Sequence, residues 1–364
     1  MNNFLDRYKI NIETIGPVYI GSGKSIRRNE WILNNKKEAI ILDHRKFFDM
    51  LVKKNLIDTY ERDIFNGKVS SLSYWLKEQN VSFEDSEKCA AYKVSARNIN
   101  TKNKQIRDMQ LTIKDPYGNP YIPGSTMKGA IRNALLAAHV RKNGCDEAHI
   151  KNEIRTCNKN SKNFLKRESE KVSQDAFNLK EIEYMSKDNA VLDVMSGIRI
   201  SDSNSVSKDK LTLCMKIDMH EDFRDTEIPT IRECIAPGTK FAFELTIDKT
   251  ETKITVEDIR AAINDFLKDY NRMFLERFKD EEMYACDVIY LGGGVGFCSK
   301  TVMNQVFAND ENRKRLVTET IAKTLPPKMR LNVAGKNLPA VAKLTEVDGR
   351  LVQMGPCSIE FVKA

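Results

Sequence analysis

Two cations four residues apart, Lys128 and Arg132, close a string that begins at Tyr117 and reads Tyr-Gly-Asn-Pro-Tyr-Ile-Pro-Gly-Ser-Thr-Met-Lys-Gly-Ala-Ile-Arg. With the hydroxyls of Ser125 and Thr126 just before them, these residue types suit the gripping of a phosphate. A helix with Ser125 or Thr126 as its N-cap offers unsatisfied N–H groups and the positive end of its dipole to an anion. A cation in the first turn, as Lys128 would be, costs about 0.3–1 kcal/mol, and a bound anion offsets that cost. Arg132 lies one turn on, on the same face. Two solvated helix charges would produce the same spacing.

Two other stretches carry comparable chemistry. Gly21, Ser22, Gly23, Lys24 and Ser25, followed by Arg27 and Arg28, invite a phosphate-loop reading. The full pattern G-x4-G-K-[ST] needs a glycine where Val18 stands, and the apolar run Ala39–Asp43 follows too closely for a crossover helix. A nucleotide triphosphatase is therefore disfavoured. What remains is a glycine-rich connection whose Lys24, Arg27 and Arg28 can touch an RNA backbone, or an ordinary hairpin connection. Near the other end, Gly292, Gly293 and Gly294 lead to Phe297 and Lys300; Phe297 takes the place of the last glycine of a dinucleotide fingerprint. Bare glycine backbone admits a nucleic-acid strand, with Phe297 to stack and Lys300 to meet phosphate. A tight turn needing positive φ would look alike.

His44 stands beside a hydrophobic run, where a histidine is more often packed or capping than catalytic. The eight cysteines are scattered without a C-x-x-C pair, which suggests neither a zinc site nor a disulfide framework. No metal and no cofactor are expected.

These residues need elements to position them. Residues 7 to 15 alternate as a half-buried strand. The cluster 115–120 closes a hairpin, Tyr121-Ile122 is a short strand, and a helix runs to Gly144 on the apolar stripe Met127, Ala130, Ile131, Ala134, Leu135 and Ala138. Residues 44–80 read as helical, with Phe47, Phe48, Leu51, Leu56, Leu72, Trp75 and Leu76 as core. Residues 95–108 are a polar, basic hairpin or loop. Residues 145–190 are charged and without clear period, an exposed insertion or partly disordered linker. Strands follow at 197–202, 211–218 and 239–248, then a helix from Val256 to Phe278 with Thr255 and Asp258 as a capping box. The strand 288–291, a helical stretch holding Arg313, Lys314 and Arg315, and a short terminal strand complete the chain.

A chain of 364 residues is long enough for two cores, and we divide it at 1–195 and 196–364. With 59 basic against 51 acidic residues and a net charge of +8, the surface leans towards polyanions. No signal peptide and no apolar run near 18 residues are seen, so a cytoplasmic protein without membrane contact is expected.

The string Gly118 to Arg132 resembles the signature of the RAMP proteins, the RNA-binding subunits of CRISPR effector complexes. Ile15–Gly23 is similar to the family's first strand and loop, Arg199–Asp202 and Ile235–Phe241 to its mid-chain strand motifs, and Leu291–Phe297 to its glycine-rich loop. Length and motif order resemble most the RAMP subunit of type III-A (Csm) complexes at the 3′ end of the crRNA. The resemblance implies an α+β fold of two ferredoxin-like, RRM-like units. It implies a non-catalytic subunit that binds crRNA, abuts the backbone RAMP subunits, meets target RNA indirectly, and takes part in crRNA maturation and antiviral defence, with host nucleases for 3′ trimming as further partners. Related backbone subunits that cut target RNA carry an aspartate in the first loop; none occurs between Gly21 and Ile41. The alternative is a metal-independent endoribonuclease of CRISPR repeats, since some relatives use a histidine general base, a role that would fall to His44.

Overall fold

A computed structural model describes residues 4–34, 37–99, 108–156, 163–222, 224–278, 281–326 and 336–364. Its strands are β1 (Leu5–Thr14), β2 (Gly21–Arg27), β3 (Trp31–Leu33), β4 (Glu38–Leu42), β5 (Ala90–Ser95), β6 (Asp108–Thr112), β7 (Ile198–Ile200), β8 (Leu211–His220), β9 (Asp225–Ile235), β10 (Lys240–Asp248), β11 (Val288–Tyr290), β12 (Val341–Val347), β13 (Arg350–Gln353) and β14 (Pro356–Lys363). Its helices are α1 (His44–Lys53), α2 (Ile57–Phe65), α3 (Leu72–Glu78), α4 (Phe83–Lys88), α5 (Gly124–Asn143), α6 (Glu147–Thr156), α7 (Lys166–Phe177), α8 (Val256–Met273), α9 (Met303–Val306) and α10 (Arg313–Thr324).

The first sheet is antiparallel, in the order β11-β14-β1-β10-β7. Ile10 lies opposite Phe243 and Ile12 opposite Phe241. The period of two puts these apolar residues on one face, while Lys9, Asn11 and Glu244 take the other. The inner face is covered by α5 and α8, whose Met127, Ile131, Ala134, Ile259, Ala262 and Ile263 join the same core. The Thr255–Asp258 capping box starts α8 as expected. Gly144, at a φ of 73°, ends α5.

The second sheet runs β2-β6-β9-β8-β5-β4-β3, with β12 added to β8 and β13 to β12. Both sheets draw strands from both sides of residue 195, so the fold is mixed α+β but not two successive βαββαβ units. The β12–β13 turn, Asp348-Gly349, has positive φ at both residues, as a two-residue hairpin turn requires.

Several expectations need correction. Phe48 is 43% exposed, although Phe47, Leu51, Leu72, Trp75 and Leu76 are core as expected; it meets Phe47 and Tyr60 edge-on at the surface. Tyr121-Ile122 forms no strand, its order coming from exchange of bonds between Ile122 and Ser203. The stretch 145–190 contains α6 and α7, because Ile150, Ile154 and Val172 pack against Phe307, Leu316 and Val317. Most of the basic stretch 95–108 lies outside the described residues. Among the described residues no helix is long and apolar enough to cross a membrane.

Candidate nucleic-acid interface

The start of α5 is built differently from the sequence expectation. Its N-cap is Pro123, not Ser125 or Thr126, and the position carries no side-chain cap hydrogen bond. The first free N–H, that of Gly124, donates to Asp202 Oδ1 at 2.8 Å. A carboxylate of the chain therefore already sits at the helix's positive end. Ile200 and Ser201 carbonyls press so close to Gly124 that a Cβ would lie 2.3 and 2.4 Å from them.

The two cations of the motif point into the protein. Lys128 Nζ donates to Ile198 O at 2.7 Å, and burial lowers its pKa, with Asp193 opposing that shift. Arg132 Nη1 bonds Asp193 Oδ2 at 2.7 Å and Nη2 donates to Ser173 Oγ at 3.0 Å. Its guanidinium also lies 4.0 Å from the centre of the Phe177 ring.

On the other flank of α5 a cleft of about 460 Å³ opens. Ser125, Thr126, Gly129 and Asn133 line it from α5, Ile263, Phe266, Leu267 and Tyr270 from α8, and Tyr19, Ile20 and Gly21 from the segment entering β2. Gly292, Gly293, Ser299 and Lys300 close it from the loop after β11.

The glycines of that loop are required by the protein itself. Gly293 N–H donates to Tyr19 O at 2.7 Å. Gly292 has a φ of +78°, and a Cβ on it would stand 2.2 Å from Tyr19 O; one on Gly294, at +91°, would stand 2.7 Å from Arg232 Nη1. The chain's own Tyr19 segment thus lies against this backbone, while Gly292 and Gly293 also line the cleft. Phe297 is wedged between two core clusters, so its ring is not a free stacking platform.

Behind the loop stands a cation that sequence reasoning missed. Arg232 Nε donates to Gln110 Oε1 at 3.0 Å, and its guanidinium lies 5.2 Å from the Tyr19 ring centre. Its Nη1 is buried without a hydrogen-bond partner among the described residues. The next residue, Glu233, points to the opposite face of the strand. There its fully buried carboxylate accepts from Lys114 Nζ, from Tyr92 OH at 2.8 Å and from Thr112 N–H at 3.1 Å, so it does not neutralise Arg232. Burial lowers the pKa of Lys300, and the neighbouring Arg232 charge lowers it further. The only hint of Arg232 in the sequence was its place three residues before the Ile235–Phe241 motif.

The first glycine-rich segment is a strand, not a loop. β2 pairs with β6 at the edge of the second sheet, with an irregularity between Gly21 and Ser25. Lys24 and Arg27 are exposed along it, and Ser22 Oγ donates to Leu111 O at 2.9 Å. Arg28 leaves this row, because its guanidinium stacks 5.2 Å from the Trp31 ring centre and burial lowers its pKa. His44 is the exposed first residue of α1 and does not line the cleft. His149, Glu153 and Glu168 are the one group of potential metal ligands brought within 4.8 Å among the described residues; His149 is exposed and the two glutamates of α6 and α7 are partly buried.

A model of the RAMP superfamily matches residues 11–299. The chain belongs to that superfamily. Among curated RAMP relatives it is 29% identical to "CRISPR system Cms protein Csm5" of Streptococcus thermophilus, over 89% of this chain and 88% of that protein. It is 25% identical to the protein of the same description from Mycobacterium tuberculosis, over the whole of both chains. Two solved structures share the fold. One is a chain of the cryo-EM structure of a Csm-crRNA-target RNA ternary complex in a type III-A CRISPR-Cas system, at a TM-score of 0.65 and 16% identity, covering 97% of this chain and 100% of that one. The other is the crystal structure of T. onnurineus Csm5, at a TM-score of 0.60 and 16% identity, covering 96% and 99%.

Of the RAMP residues singled out from sequence, the fold brings Gly21, Ser125, Thr126, Gly292, Gly293 and Lys300 to one cleft. Lys128 and Arg132 face away from it, and Lys24 and Arg27 lie along an edge strand that enters it at Gly21.

Proposed function

We propose that the chain is a non-catalytic crRNA-binding subunit of a type III-A Csm effector complex, in the place that Csm5 has among its relatives. It holds the 3′ portion of the crRNA, abuts the last backbone RAMP subunit and so ends the filament, contributing to crRNA maturation and antiviral defence. The observation that carries this reading is the convergence of dispersed motif segments on one cleft, with Lys300 exposed there and Arg232 behind it. Lys300 beside the hydroxyls and backbone of the cleft, with the Arg232 charge behind it, supplies an anion site, and phosphate-directed binding is steeply salt-dependent. Lys24 and Arg27 extend the basic track along β2.

The experiment compares crRNA content and length in complexes purified with the wild-type chain, with Arg232→Ala/Lys300→Ala, and with Lys128→Ala/Arg132→Ala. The cleft variant is expected to assemble with crRNA that has lost its defined 3′ end or stops at intermediate length. The Lys128/Arg132 variant is expected to keep wild-type crRNA if it folds. Unchanged crRNA in the cleft variant would remove the cleft from RNA binding.

A further inference from the structure

Phosphate binding does not account for the interior of the cleft. Gly129 lies within α5, where glycine costs about 1 kcal/mol relative to alanine. A Cβ at Gly129 would meet nothing within 4 Å, so no packing inside the chain calls for a glycine there. What the missing side chain does is leave the cleft open along the helix surface. Across from it on α8, Tyr270 is 6% exposed and lines the cleft, yet its hydroxyl has no hydrogen-bond partner among the described residues. The ring is buried while the hydroxyl oxygen is not sealed in, so it is left for an occupant of the cleft to meet. Asn133, one turn beyond Gly129, lines the same cleft with a side-chain amide that is also unpartnered among the described residues. Phe266 and Leu267 supply an apolar wall.

An occupant must therefore be flat enough to lie against bare helix and apolar on its faces. It must carry donors and acceptors on its edge for Tyr270 and Asn133, and be tethered to negative charge near Lys300. A nucleotide has all four properties, and about 460 Å³ falls within the roughly 300–1,000 Å³ of small-molecule sites. We propose that the cleft holds one unstacked nucleotide of the bound RNA strand, its base against Phe266 and Leu267 beside Gly129 and its phosphate beside Lys300. This rests on the RNA-binding reading and adds which part of the strand enters the protein.

The test uses the full chain with single-stranded RNA carrying 4-thiouridine, irradiated and mapped by peptide. The expected result is a cross-link within 125–133 or 263–270. Gly129→Leu fills open space and favours the helix, so its thermal midpoint should hold or rise. It should lose that cross-link and bind RNA about tenfold more weakly, the worth of one base contact. RNA that binds the wild type but cross-links only elsewhere, or a cross-link that survives Gly129→Leu, overturns the proposal and leaves RNA binding standing. A chain that binds no RNA fails at the RNA-binding reading itself, and the proposal falls with it. A cross-link displaced by equimolar uridine monophosphate assigns the cleft to a free nucleotide and overturns the strand assignment.

Discussion

On one flank of α5, Lys128 and Arg132 have their hydrogen bonds met by Ile198 O, Ser173 and Asp193. On the other, Ser125, Thr126, Gly129 and Asn133 face a cleft in which the charge acting on Lys300 is a second cation, Arg232. Both flanks belong to one motif, and only one is available to a ligand. A phosphate at Arg132 would have to displace Asp193, whereas a phosphate at Lys300 relieves the repulsion between two like charges. Charge compensation, more than charge content, separates a structural cation from a binding one.

The comparison can be broken most forcefully at the loop that holds Lys300 in place. Gly292→Val puts a branched side chain at positive φ against Tyr19 O and should cost about 3 kcal/mol or more in a denaturant melt. An unchanged midpoint would mean the loop is not clamped to Tyr19. Next in size, Arg232→Ala/Lys300→Ala should weaken single-stranded RNA binding about a hundredfold, about 2.7 kcal/mol. It should also flatten the log K against log salt slope by about 0.7, the one contact made by Lys300, since Arg232 acts from behind the loop. A slope equal to the wild type's would assign the phosphates elsewhere.

Arg132→Ala sharpens the contrast from the opposite flank. It strands the half-buried Asp193 carboxylate and should lower stability by about 1–2 kcal/mol, read as a fall in thermal midpoint. RNA affinity should stay within about twofold of wild type, since no phosphate contact is lost; a loss like that of the cleft double variant would place Arg132 in the binding site. The smallest effect concerns pH. Under the proposed function Lys300 would meet phosphate only when protonated, and its lowered pKa means the proton leaves at lower pH than from an ordinary lysine. Affinity should therefore fall as pH rises through that value, and Lys300→Arg should remove the fall. Identical alkaline profiles for the two proteins would show that Lys300 does not titrate against RNA.

The legible features of this chain were local ones. The Thr255–Asp258 box and the stop at Gly144 are each decided by neighbours within a few residues. The helices α6 and α7 were missed because a few apolar positions, Ile150, Ile154 and Val172 among them, anchor them, and their packing partners Phe307 and Leu316 lie far along the chain. The site divides in the same way. Ser125, Thr126, Gly292, Gly293 and Lys300, which line the cleft, were singled out from their spacing, but the contacts of Lys128, Arg132, Phe297 and Arg28 inside the protein were not.

What the amino-acid order settled by itself was the start of α8 at Thr255 and the end of α5 at Gly144, because φ preference and capping act over a few bonds. Which cations are free was left to the tertiary structure. Asp193 reaches Arg132 across 61 residues, and Asp202 reaches Gly124 across 78. Electrostatic compensation depends on distance in space, and no local pattern around Lys128 or Arg132 records where those carboxylates arrive.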